Sequence, residues 1–277
     1  MTLPAAILDH VAVNVGTAMD AAAETWTRLG FTLTPRGRHS LGSINHLAVF
    51  ATDYLELIGV PDRHGARADL LDWPAGLNGL VFATDDADAL HRRLSEDGVP
   101  SLAPGGFSRP VDIDGQAHEA RFRTLRLPPE TTPAGRIYFC QHFTRHLVWR
   151  DAWRHHPNGT TGIAAVLIGA DRPDRLGDLF ARLFGHRAVH PIAQGMRLTA
   201  GLIQIDVVHP QALAARFGQA APGGDDRHEY MAALVLRTAS LAQTSARLAG
   251  LATHPDAARA VVPAGAACGV TLEFREA

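Results

Sequence analysis

Two residues near the start of the chain place reactive groups inside apolar strands. His10 sits in Leu8-Asp9-His10-Val11-Ala12-Val13-Asn14-Val15, where β-branched residues recur at every second position, as in a half-buried strand. Glu56 sits in Asp53-Tyr54-Leu55-Glu56-Leu57-Ile58-Gly59-Val60, an otherwise apolar run. A buried imidazole is ordinarily a core or rim residue satisfied by a backbone partner. A carboxylate is rarely fully buried unless it is paired or bound to a metal. One of each, on two strands of one segment, is the first sign of a site.

The elements that must position them repeat along the chain. After the His10 strand comes a helical stretch from Thr17 to Leu29, with Ala18, Ala22, Trp26 and Leu29 at helical spacing and Gly30 as its stop. Three strand-like runs follow: Phe31 to Pro35, Ile44 to Ala51 and Asp53 to Val60. The same order of strand, helix and strands recurs from Leu77, with a helix over Asp86 to Glu96 and strands near Ser101 to Ala103, His118 to Leu127 and Arg136 to Phe143. It recurs from Gly162, with a helix over Pro173 to Phe184 and strands near Ala188 to Ile192, Met196 to Thr199 and Leu202 to His209. It recurs again from Tyr230, with a helix over Ser240 to Leu251 and strands near Arg259 to Val262 and Gly269 to Arg275. Such a unit buries little core alone and should pair with another.

The expected fold is therefore α+β: four βαβββ modules, at about 7–61, 77–143, 162–209 and 230–275, paired into two half-barrel domains, 1–150 and 151–277. The stretch Thr144 to Thr161 joins them and ends on the strong turn signal Pro157-Asn158-Gly159. Its Trp149 and Trp153 are expected to pack on a domain rather than hang in solvent.

Composition narrows the function. The chain has 277 residues, 46% hydrophobic and 19% charged, with a formal net charge of -2. That suits a globular protein and gives no electrostatic footprint for nucleic acid or a membrane surface. No apolar run approaches the roughly 20 residues of a membrane span, and no signal peptide is visible. Cys140 and Cys268 are too few for a disulfide scaffold and lack metal-site spacing, so reduced thiols and a cytoplasmic location are expected. The sequence has no lysine, which excludes a Schiff-base lysine and a phosphate-loop lysine.

Through Leu8-Asp9-His10-Val11-Ala12-Val13, through Asn45 to Asp53-Tyr54-Leu55-Glu56-Leu57-Ile58, and through Phe139-Cys140-Gln141-His142, the chain resembles the vicinal oxygen chelate superfamily and, more narrowly, its glyoxalase-like domain proteins. The resemblance is clear over about the first 160 residues and rests on module order beyond them. It implies two modules curved around a divalent metal, with ligands from the first and last strand of each. Carried over, His10 and Glu56 are the ligands of the first module. The first-strand position of the second falls at about Gly79, which has no ligating side chain, so the four-ligand pattern is incomplete. In the last strand Gln141 and His142 are adjacent, and alternation lets only one face the cup. Imidazole is the better transition-metal ligand, which favours His142, with Gln141 left open. The expected set is thus His10, Glu56 and His142, holding Zn, Fe, Mn, Ni or Co and leaving positions open for substrate and water.

Around this centre Arg109 and Arg121 are candidates to clamp an anionic substrate, Asn45 to line the pocket and His118 to act as acid or base; for each, a surface or packing role is the bland alternative. Glu56 is also a candidate to shuttle a proton. The C-terminal pair lacks this set. It offers Asp206 and Glu273 without a histidine partner and reads as a degenerate, structural half. The leading expectation is a metal-dependent lyase, isomerase or dioxygenase acting on a small oxygenated substrate, in a possible homodimer. The alternatives are a metal-free protein that sequesters a small molecule and a dimeric scaffold with an empty cup.

Overall fold

Alternation along two neighbouring strands sets up the molecule. The computed structural model describes residues 4–224, 226–251 and 258–276. The first module comprises β1 (Leu8–Gly16), α1 (Met19–Arg28), β2 (Gly37–Arg38), β3 (Ile44–Val49) and β4 (Tyr54–Gly59). The second comprises β5 (Gly76–Ala83), α2 (Ala87–Glu96), β6 (Gly105–Ile113), β7 (Gln116–Arg126) and β8 (Arg136–His142). The third comprises β9 (Thr160–Ala170), α3 (Pro173–Phe184), β10 (Val189–Ile192), β11 (Gly195–Ala200) and β12 (Ile203–Val208). After α4 (Pro210–Phe217) come β13 (Glu229–Thr238), α5 (Leu241–Arg247), β14 (Ala260–Val262) and β15 (Thr271–Glu276).

These strands build two mixed sheets, as the expected α+β class requires. One has eight strands in the order β2-β3-β4-β1-β5-β8-β7-β6, the other seven in the order β10-β11-β12-β9-β13-β15-β14. Each module pairs its first and last strands in parallel, and β1 meets β5 antiparallel at the centre of the first sheet. That sheet curls so far that its two ends meet. Ser40 N–H donates to Ser108 O (2.8 Å), and Ser108 N–H donates back to Ser40 Oγ (3.1 Å), closing a near-barrel around an interior cup.

The two faces of the first sheet have different roles. Val11, Val13 and Val15 of β1 and Leu55 and Leu57 of β4 point outward from the cup, onto Trp26 of α1 and Leu90 and Leu94 of α2. This layer is continuous with the core of the second sheet. Phe31 meets Phe274 (6.3 Å between ring centroids), and Phe82 of β5 meets Phe180 and Phe184 of α3 (6.3 and 4.6 Å). The joining stretch is pinned as well. The His156 ring accepts from Thr32 N–H through Nδ1 (3.0 Å) and donates to Val49 O through Nε2 (3.0 Å), and buried Asn158 donates to Leu29 O (3.0 Å). Among the described residues no helix is long and apolar enough to cross a membrane.

The structure corrects three expectations about elements and adds a helix where none was expected. Phe31 to Pro35 is irregular, with one ladder-like bond from Thr34 N–H to Leu47 O (2.9 Å), because Pro35 has no donor. Ser101 to Ala103 is not a strand; the long β6–β7 hairpin begins after it. The hairpin turns on Asp114 and Gly115, both at positive φ (53° and 79°), the two-residue turn that an Asp-Gly pair favours. The segment after His209 is a helix, α4, opened by Pro210 and seated through Leu213 and Phe217. In the fourth module two strands, not three, follow the helix among the described residues.

The acids of the second sheet are bound to arginines. Asp206 is bidentate with Arg197 (2.6 and 2.8 Å). Glu273, fully buried, is bidentate with Arg216 (2.9 and 3.0 Å) and also meets Arg259 (3.3 Å) and Arg275. Burial alone would raise the Glu273 carboxyl, but the Arg216 hydrogen bonds and the Arg216 and Arg275 charges outweigh it and hold it below its ordinary value. Glu273→Gln is therefore expected to cost about 2–3 kcal/mol at neutral pH, since it leaves partly solvated arginines around a neutral group. The difference from wild type should vanish as pH falls below about 4.5 and through the lowered folded value, where the native carboxylate also takes up its proton. Urea unfolding of both proteins across pH checks this.

Candidate active site

The cup is a cavity of about 520 Å³ inside the first sheet. His10 and Glu56 both line it. In the β1–β4 register His10 lies beside Tyr54 and Ala12 beside Glu56, so the imidazole and the carboxylate share one face. The His10 ring stacks flat on Tyr54, with centroids 4.2 Å apart and planes 12° apart. Its Nε2 faces Glu56 Oε2 at 3.7 Å. Asn45, on β3, donates from Nδ2 to Glu56 Oε1 (2.7 Å), fixing the carboxylate.

Behind His10 lies a residue not anticipated from the sequence. The β1–β5 register slips between Leu8 and His10, a bulge at Asp9. The buried Asp9 carboxylate accepts from His10 Nδ1 (2.7 Å) and His142 Nε2 (3.0 Å), with Arg145 Nη1 at 3.4 Å. Burial alone would raise the Asp9 carboxyl; the hydrogen bond from His10 and the His142 imidazole reverse this and hold it well below the usual carboxylate range. With Nδ1–H given to Asp9, His10 presents the Nε2 lone pair to the cup.

That arrangement tests the fit of a metal ion. Two acceptors, His10 Nε2 and Glu56 Oε2, face each other with no donor between them, and a carboxylate orients the imidazole from behind, as in metal-bound histidines. These two residues fit a divalent ion. The structure does not bring His142 to them. It lies on the cup side of β8, but the Asp9 bulge puts a carboxylate between the two imidazoles, and His142 Nδ1 is buried without a partner. Among the described residues the group of three whose ligand atoms all lie within 4.8 Å of one another is Asp9, Cys140 and His142. Its Asp9 is already shared by two histidines, and burial pushes the Cys140 thiol well up.

The other anticipated residues separate cleanly. Asn45 and Arg109 line the cavity. Gln141 points away, its Oε1 accepting from Ala87 N–H (3.2 Å) and its Nε2 donating to Asp85 O (2.6 Å), so it holds the start of α2. His118 and Arg121 are exposed on β7, outside the cavity wall. The residues missed are Arg126, Arg136, Tyr138 and Cys140, which line the cup, and His39, which neighbours Asn45 (3.2 Å). A signal existed for most of them: once His142 is placed on the cup side of its strand, alternation puts Cys140, Tyr138 and Arg136 there too. Burial lowers His39 to about 4, so it is neutral, donating through Nδ1 to Ser43 Oγ (2.8 Å) and accepting at Nε2 from Asn45.

Gly37 of β2 is needed for this packing. A Cβ there would lie 2.2 Å from Asn45 Oδ1 and 3.1 Å from Arg109. Gly37→Ala is expected to dislodge the Asn45 amide from Glu56 and cost about 1–3 kcal/mol of stability. Thermal unfolding of the variant measures it, and an unchanged midpoint would show that the seam has slack.

A family model described as a glyoxalase-like domain matches residues 8–184. The chain belongs to the glyoxalase-like domain family. Solved structures agree on the fold. A hypothetical protein from Staphylococcus aureus is 11% identical, with a TM-score of 0.68 over 98% of this glyoxalase-like chain and 99% of its own. A triple mutant of 4-hydroxymandelate synthase from Streptomyces coelicolor is 12% identical, with a TM-score of 0.57 over 99% of this chain and 93% of its own. At these identities the likeness is one of fold, that of the vicinal oxygen chelate proteins. Among curated proteins none matches this sequence.

Proposed function

We propose that this glyoxalase-like protein is an enzyme that moves a proton on a small oxygenated substrate, with His10 and Glu56 as a divalent-metal site and Glu56 as the proton carrier. The observation that carries this is the open gap between His10 Nε2 and Glu56 Oε2 on the wall of the cup. A bound Zn, Mn, Fe, Co or Ni ion would supply Lewis acidity toward a substrate oxygen. The chain's own groups supply the rest. Asp9 fixes the His10 ring and Asn45 fixes Glu56 Oε1, so that Oε2, which would face the ion, takes and returns a proton by leaving the metal during turnover. Tyr54, Phe122 and Tyr138 wall the cup and exclude water.

Lyase or isomerase chemistry is favoured over dioxygenase chemistry, because the two-histidine, one-carboxylate set of non-haem iron oxygenases is not assembled among the described residues. The test has two parts. Elemental analysis and thermal melts with each metal should give near-stoichiometric uptake and a raised melting point that His10→Ala removes. Incubation in D2O with a panel of hydroxyketones and 2-oxo acids should give enzyme-dependent exchange at carbon. Neither metal uptake nor exchange, with small molecules still bound, would replace this reading with the sequestration one.

A further inference from the structure

We propose that the cup takes an organic dicarboxylate, its two ends held by arginines on opposite sides of Glu56. This deepens the reading above and rests on it for the location of the reacting centre. The first end is Arg109 on β6. It is 3% exposed, lines the cavity, forms no ion pair with a described residue, and its Nη2 is buried without a partner among the described residues. It lies at the seam of the near-barrel, against Gly37 and Asn45.

The second end is Arg126 and Arg136. Arg136 opens β8 and gives its Nε–H to Asn78 Oδ1 on β5 (2.6 Å), which leaves Nη2 buried and unpartnered. Arg126, on β7, lies across from Tyr138 of β8 and also lines the cavity. Neither is in an ion pair with a described carboxylate, whereas neighbouring Arg67 is neutralised by Asp69 (2.7 Å).

An unpaired guanidinium away from bulk water is costly, and the buried Nη2 atoms of Arg109 and Arg136 share one buried acid on the cavity wall, Glu56; the other acids of the wall, Asp69 and Asp72, are exposed, and Asp69 is taken by Arg67. Planar guanidinium groups match carboxylates in bidentate fashion. Spacing argues for two anionic groups rather than one. Arg109 lies across from Ala120 on β7, and Arg126 is six residues farther along that strand, roughly 20 Å of backbone at about 3.4 Å per residue. Long side chains shorten that gap but one small anion does not span it. Between the ends, Phe107, Phe122 and Tyr138 offer an apolar bed for the carbon chain.

Calorimetric titration of the intact protein, at fixed ionic strength, with the straight-chain dicarboxylates from succinate to suberate tests this. Affinity should peak within the series, and the best dicarboxylate should bind about tenfold tighter than the monocarboxylate of equal length. The matching diamide should not bind. Arg109→Met should weaken the best dicarboxylate about tenfold and raise the melting point of the ligand-free protein, since it removes an unpaired buried charge. Arg126→Met gives a second reading should the first variant misfold, and exposed Arg172→Met should change nothing. Equal binding of monocarboxylate or diamide, unchanged affinity in the two variants, or displacement by inorganic phosphate at equal affinity would overturn the proposal. Glu56-dependent exchange on an uncharged hydroxyketone, without dicarboxylate binding, would overturn it and leave the proton-transfer reading standing.

Discussion

Glu56→Gln is expected to reduce carbon–deuterium exchange by about a thousandfold, within the range that a positioned general base contributes. It should do so without unfolding the protein. The glutamine oxygen still accepts from Asn45 Nδ2, and the new amide N–H has an acceptor waiting in His10 Nε2, which today faces Oε2 at 3.7 Å. The variant closes the gap with a hydrogen bond where the native pair leaves it open for an ion. Its melting point should therefore hold or rise in the absence of metal, and the rise on adding metal should disappear. Exchange at the wild-type rate would remove Glu56 as the proton carrier, whatever became of metal uptake.

Asp9→Asn is expected to cost about 3 kcal/mol of stability, because it breaks a buried charged network by removing its centre. One Asp9 oxygen serves His10 Nδ1 at 2.7 Å and His142 Nε2 at 3.0 Å. An amide keeps one acceptor and turns the other oxygen into a donor, so the rings of His10 and His142 and the Arg145 guanidinium lose the anion they share. The His10 ring then no longer has its tautomer imposed, and exchange per folded molecule should fall about 10- to 100-fold. Urea unfolding measures the first effect and the exchange rate at saturating folded protein the second. A loss of stability with unchanged exchange would reduce Asp9 to a structural residue.

Much of this was legible in the sequence because strands encode their faces. Alternation in β1 and β4 put His10 and Glu56 on the same side as surely as it put Val11 and Leu55 on the other. The repeated order of elements was enough for two sheets and for the parallel pairing within modules. What escaped was long-range or hidden by a slip in register. Asp9 precedes His10 and strict alternation sends it to the opposite face; the bulge brings it back between two histidines. His142 was assigned the correct side of β8 but not the correct neighbour, since nothing local reports where a carboxylate from β1 arrives. Arg121 looked as useful as Arg109 because each is an arginine on a strand of one hairpin. Register separates them: Arg109 lies across from Ala120 and shares the cup face with Phe122 and Arg126, while Arg121, one residue out of phase, takes the opposite face. Gln141 reads as a ligand by type, yet its amide matches the free N–H groups at the start of α2, a tertiary contact that composition does not reveal.

Phe82 gives the second half of the chain a stake in the first. It sits on the strand next to β1, and its ring rests on Phe180 and Phe184. The vessel is thus braced by masonry from a different part of the protein. Whittling away either α3 ring would slacken the wall behind His10 without touching a single group inside it. Substitutions far from the reacting atoms, in the half that carries no reactive pair, would then register as altered turnover.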